Sequence, residues 1–412
     1  SIFVFGTRAH SRTYTTTAPQ SAADGTCTEY GTKGRDMLYR RFGKTGLNIS
    51  VFTFGAMRIP GGSDENAVAT IRKAVELGIN HLETARGYGT SEQLLGLAMP
   101  DLPREKLVIT TKIGQVDSAD EMRRQIDESL ERMKVDRIDN FDIHGINTGE
   151  ILDKVLHGGS LEGARKAMDE GLIGHLGFST HAPLEVIIRA IETGEFESVN
   201  LHYYYFNQRN LPAIKLAQKY DMGIFIISPT DKGGQLFNAP AKLRRMTKPL
   251  TPIQLNHRFL LSNPNIHTLS LGAANPDEFE EHLAVANEGG PLSMNEKMII
   301  ASLDAEFRNV LGSTYCTMCY DCLPCPEMIH IPEMLRLRNM ARAFDMIDFG
   351  KYRYNLFSRG GHWHPGDQAT ACTECGDCLP RCPEHLDIPK LLMDTHNLLL
   401  GEAEQHMYAR ND

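Results

Sequence analysis

The sequence predicts an α/β protein in which a series of strand–helix units precedes a small, mainly helical domain rich in cysteine. Two observations lead to this prediction. Between residues 51 and 286, short apolar runs alternate with amphipathic runs of helical period. Beyond residue 315, eight of the nine cysteines of the 412-residue chain lie close together. A chain of this length accommodates two domains, and its hydrophobic content of 41% supports a sizeable core.

The first part of the chain contains eight predicted strands, each followed by a helix. A hairpin formed by Leu38–Phe42 and Leu47–Ser50 precedes them. The strands are Val51–Gly55, Asn80–Thr84, Leu107–Lys112, Ile138–His144, Gly174–Ser179, Ser198–His202, Gly223–Ser228 and Thr268–Gly272. The helices are near Glu65–Leu77, Ser91–Ala98, Ala119–Met133, Leu161–Glu170, Pro183–Glu192, Leu211–Tyr220, Pro252–Leu261 and Pro276–Ala286. Three of these helices begin at a proline, which the first helical turn tolerates.

The number of units selects the architecture. Eight β/α units over about 240 residues match a TIM (β/α)8 barrel. A doubly wound open sheet is the alternative, but such a sheet usually stops at about six strands, and no G-x-G-x-x-G follows the first strand here. We therefore predict an N-terminal extension over residues 1–36, a barrel over 37–290, a connecting helix over 291–315 and a cysteine-rich domain over 316–412.

Charge and hydropathy argue against two classes of partner. The net charge of −9 is opposite to the basic surface that nucleic acids require. No apolar run approaches the roughly 18 residues of a membrane helix. The clustered cysteines indicate a metal site in a reducing compartment rather than a disulfide framework, which favours a cytoplasmic location.

The N-terminal extension differs in composition from the rest of the chain. It has arginines but no acid before Asp24, and it therefore faintly resembles an organelle transit peptide. A disordered tail is the preferred interpretation, because polar tracts without a period usually stay unfolded. Cys27 lies alone in this segment and is not expected to be a metal ligand.

A barrel would bring four ionisable side chains together, because the active sites of this fold lie at the carboxyl ends of its strands. Glu83, Lys112 and His144 lie at the ends of the second, third and fourth strands, and Tyr88 lies between two glycines on the second loop. Glycines allow a loop unusual backbone angles and a close approach to a ligand. Ionisable groups gathered in this way are typical of an active site.

The same residues carry a resemblance to a known family. The sequence E-T-A-R-G-Y-G-T-S-E at residues 83–92 resembles the D-T-A-x-x-Y-G-x-S-E motif of the aldo-keto reductases, apart from its first residue. Shorter resemblances occur at residues 39–47, 177–179, 263–264 and 271–273, so that the likeness covers about residues 38–283. It implies the reduction of carbonyl compounds with hydride from NAD(P)H. The family's tetrad of Asp, Tyr, Lys and His would be Glu83, Tyr88, Lys112 and His144.

The chemistry of these side chains suits such a reaction. A carbonyl that accepts a hydride becomes an alkoxide and needs a proton, which the resemblance assigns to Tyr88. A tyrosine near pKa 10 is a poor donor at neutral pH, and a nearby cation such as Lys112 favours its ionisation. Glu83 would hold the lysine, although it is one methylene longer than the usual Asp, and His144 would donate a hydrogen bond to the oxyanion.

The resemblance also implies a cofactor site, NAD(H) or NADP(H). Glu278 lies near a position where some members of the family carry an arginine for the 2′-phosphate, and its charge favours NAD(H) slightly. Ile227 and Asn200 stand where an aromatic residue and a glutamine are usual, which makes a weakened cofactor site an alternative. The cofactor-binding residues that the resemblance implies are Ser179, Thr180, Asn200, Ser228, Gly272, Ala273, Glu281 and His282.

The cysteines form two similar runs. The second, C-x2-C-x2-C-x3-C-P at residues 372–383, has the bacterial ferredoxin spacing for a 4Fe–4S cluster. The first, at 316–326, is one residue shorter before its last cysteine. Zinc held by C-x2-C pairs is the alternative. Four cysteines in so short a run before a proline favour iron–sulfur.

An internal repeat suggests how two clusters are held. Each run is followed by an Ile-Pro step and a helical stretch, Pro332–Phe344 and Pro389–Leu400. In two-cluster ferredoxins the fourth cysteine of each run ligates the other cluster. We therefore predict one cluster on Cys316, Cys319, Cys322 and Cys382, and the other on Cys372, Cys375, Cys378 and Cys325.

The cysteine-rich domain resembles the helical two-cluster ferredoxin of ferredoxin-fused aldo-keto reductases. Between its two repeats lies the segment His362–His364. This segment either covers the clusters or, as we prefer, forms a packed loop.

Two functional interpretations remain open. The first is a nicotinamide-dependent oxidoreductase for a small-molecule carbonyl or alcohol, whose clusters serve electron transfer or structure and are compatible with a redox partner protein. The second is a non-catalytic electron-transfer or redox-sensing protein on a degenerate barrel. Clusters pass single electrons whereas nicotinamide accepts a hydride, and the sequence has no recognisable flavin motif that would connect them.

Overall fold

Eight parallel strands close into a barrel in the computed structural model, which describes residues 36–402 of the chain. An antiparallel hairpin of β1 Tyr39–Arg41 and β2 Asn48–Ser50 precedes the barrel. The barrel strands follow one another in order, and the last pairs with the first to close the ring. They are β3 Phe52–Gly55, β4 His81–Glu83, β5 Val108–Gly114, β6 Ile138–His144, β7 Ile173–Ser179, β8 Ser198–Leu201, β9 Gly223–Ile226 and β10 Thr268–Leu271. The predicted TIM barrel and its hairpin are thus confirmed.

Ten α-helices lie in the barrel part of the described chain. They are α1 Asp64–Glu76, α2 Ser91–Ala98, α3 Ala119–Met133, α4 Gly149–His157, α5 Ser160–Asp169, α6 Leu184–Glu192, α7 Leu211–Lys219, α8 Ala241–Met246, α9 Pro252–Leu261 and α10 Glu280–Leu283. The short helices α4 and α8 were not predicted, because one helix per strand already accounted for the alternation. The helix predicted at Pro276–Ala286 is wrong in its length, since Pro276–Phe279 is a 3-10 turn and only α10 is α-helical.

Local sequence explains where the helices begin and which face they bury. The Ser118 side chain accepts a hydrogen bond from the Glu121 amide and caps α3. Met122, Ile126 and Leu130 follow at intervals of four residues and are buried, whereas the charged residues between them are exposed or half-exposed. The apolar face of this helix therefore covers the barrel.

The remaining described helices form a second layer on the loops at one end of the barrel. They are α11 Met294–Leu311, α12 Ile331–Phe344, α13 Ile347–Tyr354 and α14 Ile388–Leu399. Helices α12 and α14 lie within one residue of the predicted helical stretches, whereas α13 was not predicted. Apolar residues of barrel loops, among them Tyr205, Leu236 and Leu243, pack in one cluster with Met340 and Phe344 of α12. We call α11–α14 and their connections the helical layer.

Helix α12 is the centre of the helical layer. All its residues except Arg342 are buried, including charged ones that form ion pairs. Arg336 pairs with Glu333 within the helix, and Arg338 pairs with Asp394 of α14. The helix is therefore held by both apolar and charged contacts on several sides.

Two sequence predictions concern membrane helices and the N-terminal extension. None of the described helices combines the length and the apolar character that crossing a membrane requires. The predicted extension with Cys27 lies outside the described residues, apart from Asp36.

Candidate active site and cluster cysteines

Glu83 and Lys112 form a buried ion pair at the mouth of the barrel. Strand β4 ends at Glu83, and the neighbouring strand β5 carries Lys112. The ammonium contacts the Glu83 carboxylate and also donates to the carbonyl oxygen of Thr84 at 2.7 Å. The side chains of Lys112 and Glu83 are only 2% and 5% exposed. The longer acid therefore reaches the lysine, which the sequence left open.

Tyr88 and His144 lie next to this pair. The Lys112 ammonium is 4.8 Å from the centroid of the Tyr88 ring. The imidazole of His144, at the end of β6, meets the same ring edge to face with a centroid distance of 5.6 Å. The structure thus brings together all four residues that the sequence predicted for the tetrad. A hydroxyl, a cation and an imidazole around one point can protonate and stabilise a developing oxyanion.

Burial sets the protonation of this site. Burial lowers the pKa of Lys112 to about 7, the charge of Asp142 opposes this shift, and the contacting Glu83 carboxylate also favours the ammonium form. Burial, together with the charges of Lys112 and Lys232, lowers the pKa of His144 to about 3. His144 is therefore a neutral imidazole near pH 7, which can donate a single hydrogen bond and carries no charge.

Asp142 is a site residue that the sequence analysis missed. It is buried on β6 directly opposite Lys112, and it accepts hydrogen bonds from the amides of Asn140 at 2.9 Å and Asn200 at 2.7 Å. Burial raises its pKa to about 6, against the charge of Lys112 and these donors. The sequence held a usable signal, because Asn140, Asp142 and His144 alternate with apolar residues and so share one face of a strand.

Three of the residues predicted to bind the cofactor, Ser179, Thr180 and Asn200, lie at the next two strands. Ser179 and Asn200 are paired at the ends of β7 and β8, and Ser179 Oγ accepts from the Gly145 amide at 3.1 Å. The Asn200 amide nitrogen is bound by Asp142, whereas its Oδ1 is buried and has no hydrogen-bond partner among the described residues. This acceptor fits the amide group of a nicotinamide. The Thr180 hydroxyl is already engaged with neighbouring backbone groups, as donor and as acceptor.

The other residues predicted to bind the cofactor lie after β9 and β10. Ser228 follows β9 and has a left-handed backbone with φ of 52°. Gly272 and Ala273 follow β10, Glu281 is exposed on α10, and His282 shares a 3.0 Å hydrogen bond with His257. The common role of these residues in cofactor binding stays a prediction.

Glu278 is not an isolated charge at this end. It forms an ion pair with Arg58 and accepts hydrogen bonds from the Ala274 amide and the Asn275 side chain. Arg58 therefore neutralises the carboxylate that the sequence analysis expected to repel a 2′-phosphate. The preference for NAD(H) stays a prediction, with a weaker electrostatic basis.

The eight C-terminal cysteines enclose two cavities. Cys316, Cys319, Cys322 and Cys382 line one cavity. The other cavity is lined by Cys325, Cys372, Cys375 and Cys378. These are the two crossed sets that the sequence predicted, and all eight cysteines are free of disulfides.

The chemistry of the thiols fits a metal cluster. Burial and neighbouring cysteines raise the pKa values of Cys316 to about 11 and of Cys322 to about 12. Iron would supply the positive charge that makes these groups thiolate ligands. Among the described residues, no three His, Cys, Asp or Glu side chains converge closely enough to hold a single metal ion. A four-iron cluster, which keeps its cysteines further apart, does not require such convergence.

The segment between the two cysteine runs contacts the barrel. The centroid of the Trp363 ring lies 5.4 Å from the centroid of the His144 ring and 5.0 Å from that of the His181 ring. A β-carbon at Gly145 would lie only 2.6 Å from the Trp363 ring, so this position, with φ of 75°, needs glycine. His362 shares a 3.0 Å hydrogen bond with the barrel residue Asn147. The loop therefore packs against the tetrad, a contact for which its local sequence carried no signal.

Comparisons with known proteins agree with this geometry. A sequence profile of the aldo/keto reductase family matches residues 52–305, more than half of the chain, and a profile of a 4Fe-4S dicluster domain matches residues 315–386. The L-galactose dehydrogenase of Arabidopsis thaliana is 28% identical over 298 residues, which are 63% of this chain and 91% of that protein. The uncharacterized oxidoreductase YqkF of Bacillus subtilis is 24% identical over 289 residues, 61% of this chain and 92% of its own.

Solved structures share the fold of the barrel. The holo form of an aldo-keto reductase from Bacillus halodurans has a TM-score of 0.56 at 24% identity. The match covers 65% of this chain and 96% of that one. At this identity the likeness concerns the fold alone.

Proposed function

Because this chain belongs to the aldo/keto reductase family and carries a 4Fe-4S dicluster domain, we propose that it transfers hydride between a nicotinamide cofactor and a small-molecule carbonyl or alcohol. One observation carries the proposal: Lys112 and His144 both lie against the Tyr88 ring at the barrel mouth. Burying a lysine and its carboxylate is costly, and proton transfer at the Tyr88 ring gives this pair a function that a degenerate scaffold would lack. The non-catalytic alternative is therefore not favoured.

Each tetrad residue has a separate task. Tyr88 donates its hydroxyl proton to the carbonyl oxygen of the substrate. The Lys112 ammonium stabilises the phenolate that this leaves, and Glu83 holds the ammonium beside the ring. The neutral imidazole of His144 donates a hydrogen bond to the oxygen as its charge develops. In the alcohol direction the Tyr88 phenolate takes the proton back from the hydroxyl of the substrate.

A bound nicotinamide would supply the hydride. Asn200 is the best-supported contact, because Asp142 fixes its amide nitrogen while its buried Oδ1 remains available as an acceptor. Ser179 lies beside it. The Thr180 hydroxyl already donates to the Ile146 carbonyl, so Thr180 would contact the cofactor by packing rather than by a hydrogen bond. The residues that would follow the cofactor toward its adenosine end are Ser228, Gly272, Ala273, Glu281 and His282.

The two cysteine sets would hold the clusters in the crossed arrangement. Cys382 then completes the site of Cys316, Cys319 and Cys322, and Cys325 completes the site of the other three. We assign residues 37–290 to the barrel, 291–315 to the connecting helix and 316–412 to the cluster domain, after an extension over 1–36. The clusters either anchor this domain or exchange electrons with a redox partner protein.

The decisive experiment is a rate measurement on anaerobically purified protein. Oxidation of NADH and NADPH is followed with 4-methylbenzaldehyde as a neutral probe substrate. Tyr88→Phe keeps the ring and removes the proton donor, so kcat should fall by about 10²–10⁴-fold while cofactor binding, measured by NADH fluorescence, is unchanged. Tyr220→Phe, exposed at the end of α7, is the matched control and should leave the rate unchanged. An undiminished rate in Tyr88→Phe would refute this function.

A further inference from the structure

A polar cavity, partly open to solvent, lies where the helical layer covers the barrel loops, and we call it the interdomain chamber. It is separate from the two cysteine cavities. The loops after β7, β8 and β9 contribute His181, His202, Arg209 and Lys232 to its wall. The helical layer contributes the opposite side, with Arg336, Arg353, Trp363 and His364. Neither part of the chain forms this chamber alone.

The wall of the chamber carries an excess of positive charge. Its cationic side chains are Arg209, Lys232, Arg336 and Arg353. Its one carboxylate, Glu333, is bound by Arg336 through both oxygens. Burial and the charge of Arg353 lower the pKa of Lys232 to about 7, and the charge of Asp231, which lies outside the wall, opposes this shift. The four basic side chains of the wall thus share a single carboxylate, on which the charge of Arg209 also acts.

Several donors of the chamber also lack an acceptor. Within the described part of the chain, Nε of Arg209, Nε of Arg353 and Nε2 of His364 are buried and have no hydrogen-bond partner. Arg353 donates to Nδ1 of His364 at 2.9 Å, so the proton of a neutral His364 ring is on Nε2. Burial and the charge of Arg353 lower the pKa of His364, which agrees with a neutral ring. Three N–H groups thus remain for a ligand rich in acceptor oxygens.

The chamber adjoins the tetrad. Trp363 stands between them, with contacts to both His144 and His181. The charge of Lys232 acts on both sites, because it lowers the pKa values of His144 in the tetrad and of His181 in the chamber wall. A substrate group that extends from the tetrad past the Trp363 ring would meet this basic wall.

From this arrangement we infer that the interdomain chamber binds an anionic group, a carboxylate or a phosphate, of the substrate whose carbonyl reacts at the tetrad. The assignment of this anionic group to the substrate rests on the proposed function, whereas anion binding by the chamber does not. It makes the helical layer a part of the substrate site, because Arg353, Trp363 and His364 come from that layer. Arginine suits this task, since its fork of N–H groups matches carboxylate and phosphate oxygens.

Anion binding can be measured without turnover, because Trp363 is the only tryptophan in the chain and lies in the chamber wall. Inorganic phosphate and malonate are titrated into the cluster-loaded protein while tryptophan fluorescence is followed. A saturable change is expected, and Arg353→Gln should weaken binding by about tenfold through the loss of a charged hydrogen-bond donor. Arg359→Gln, at an exposed arginine of the same segment, is the matched control and should leave the binding constant unchanged.

The folding of the variants is checked by cluster absorbance and circular dichroism. Lys232→Gln, on the barrel side, provides a second variant with the same expected loss if Arg353→Gln does not fold. The absence of a saturable response, or equal binding by the wild type and both chamber variants, would overturn the inference.

NADH separates the two possible sources of the anionic group. Phosphate that leaves the NADH dissociation constant unchanged supports a substrate group in the chamber. Competition between phosphate and NADH would instead assign the chamber to the phosphates of the cofactor and would overturn the substrate assignment.

Matched aldehydes test the substrate assignment directly. Arg353→Gln should raise KM for 4-carboxybenzaldehyde about tenfold more than it raises KM for 4-methylbenzaldehyde, with little change in kcat for either aldehyde. Equal effects on both aldehydes would overturn the assignment. A protein that reduces neither aldehyde would refute the proposed function and the substrate half of the inference, whereas the phosphate titration decides on its own whether the chamber binds an anion.

Discussion

The barrel mouth and the cysteine cavities are both buried groups of ionisable side chains, but they balance charge in different ways. At the mouth, the ammonium of Lys112 has carboxylates next to it, on Glu83 and Asp142. In the cysteine cavities, burial and the neighbouring thiols all raise the pKa of Cys316 and Cys322. At the mouth, protein groups alone balance the charge of the lysine. In the cysteine cavities, the thiols become thiolates only when a metal binds them. The comparison teaches that protein groups alone balance the charge at the barrel mouth, whereas the cysteine sites, although gathered by the chain, depend on a metal for their charge.

The largest expected effect comes from removing a cluster ligand. Purified anaerobically, the protein should contain about eight iron and eight sulfide per chain, as two 4Fe–4S clusters imply. Cys382→Ser should lose about four iron, and the lost cluster should be the one on Cys316, Cys319 and Cys322 rather than the one on its own run. Iron analysis and electron paramagnetic resonance of the reduced protein measure this.

A matched variant makes the crossed arrangement specific. Cys325→Ser should lose the other cluster and leave a different resonance spectrum, since it completes the second cavity. Stoichiometric zinc without iron, or loss of the cluster on the same run as the substituted cysteine, would contradict the arrangement.

A smaller effect is expected when the charge balance at the barrel mouth is broken. Glu83→Gln keeps the length of the side chain but leaves the buried Lys112 without its contacting carboxylate, which should lower the free energy of unfolding by about 3–5 kcal/mol. Glu83→Asp keeps the charge and introduces the usual residue of the motif, so activity should stay within about fivefold. Thermal unfolding and kcat/KM measure the two effects.

The pair of variants separates two roles of the acid. A collapse of activity in Glu83→Asp with unchanged stability would show that Glu83 moves a proton itself rather than holding Lys112. Equal stability of Glu83→Gln and the wild type would show that the mouth does not depend on this ion pair, and the comparison with the cysteine cavities would lose its basis.

The smallest effect is expected at the adenosine end of the cofactor site. Glu278→Gln would release Arg58 from its ion pair, and the freed guanidinium would attract the 2′-phosphate of NADPH. The ratio of NADPH to NADH affinity should rise by roughly fivefold, or about 1 kcal/mol, the size of a partly exposed charge interaction. Fluorescence titration of both cofactors measures it. An unchanged ratio would place the 2′-phosphate elsewhere.

The barrel was predictable because each strand–helix unit has its own local sequence pattern. The strands of the barrel recur in alternation with helical stretches, and the predicted ends of β6 coincide with those of the structure. The tetrad followed from the strand ends, because the fold dictates where those ends meet. The cysteine sets followed from their spacing and the internal repeat. Sequence was sufficient wherever a short motif or a repeated unit determined the geometry.

What the sequence did not reveal depends on contacts between distant segments. Trp363 reaches His144 only because the helical layer folds back onto the barrel loops. Arg58 neutralises Glu278 across 220 residues of chain, so the acid could not be recognised as paired. Asp142 was within reach of a strand-face argument, yet the burial of its hydrogen bonds with Asn200 is a property of the closed barrel. These are the features that give the site its charge and shape.

Helix α12 imposes a limit on how this chain can change. Its Ile331 borders one cysteine cavity, Pro332 and Leu335 border the other, and Glu333 and Arg336 face the interdomain chamber. Insertion or deletion of one residue in an α-helix turns everything beyond it by about 100° and would misalign these surfaces with one another. The barrel and the helical layer are therefore not interchangeable modules, and transplanting the layer onto another barrel would require keeping the rotational phase of this one helix.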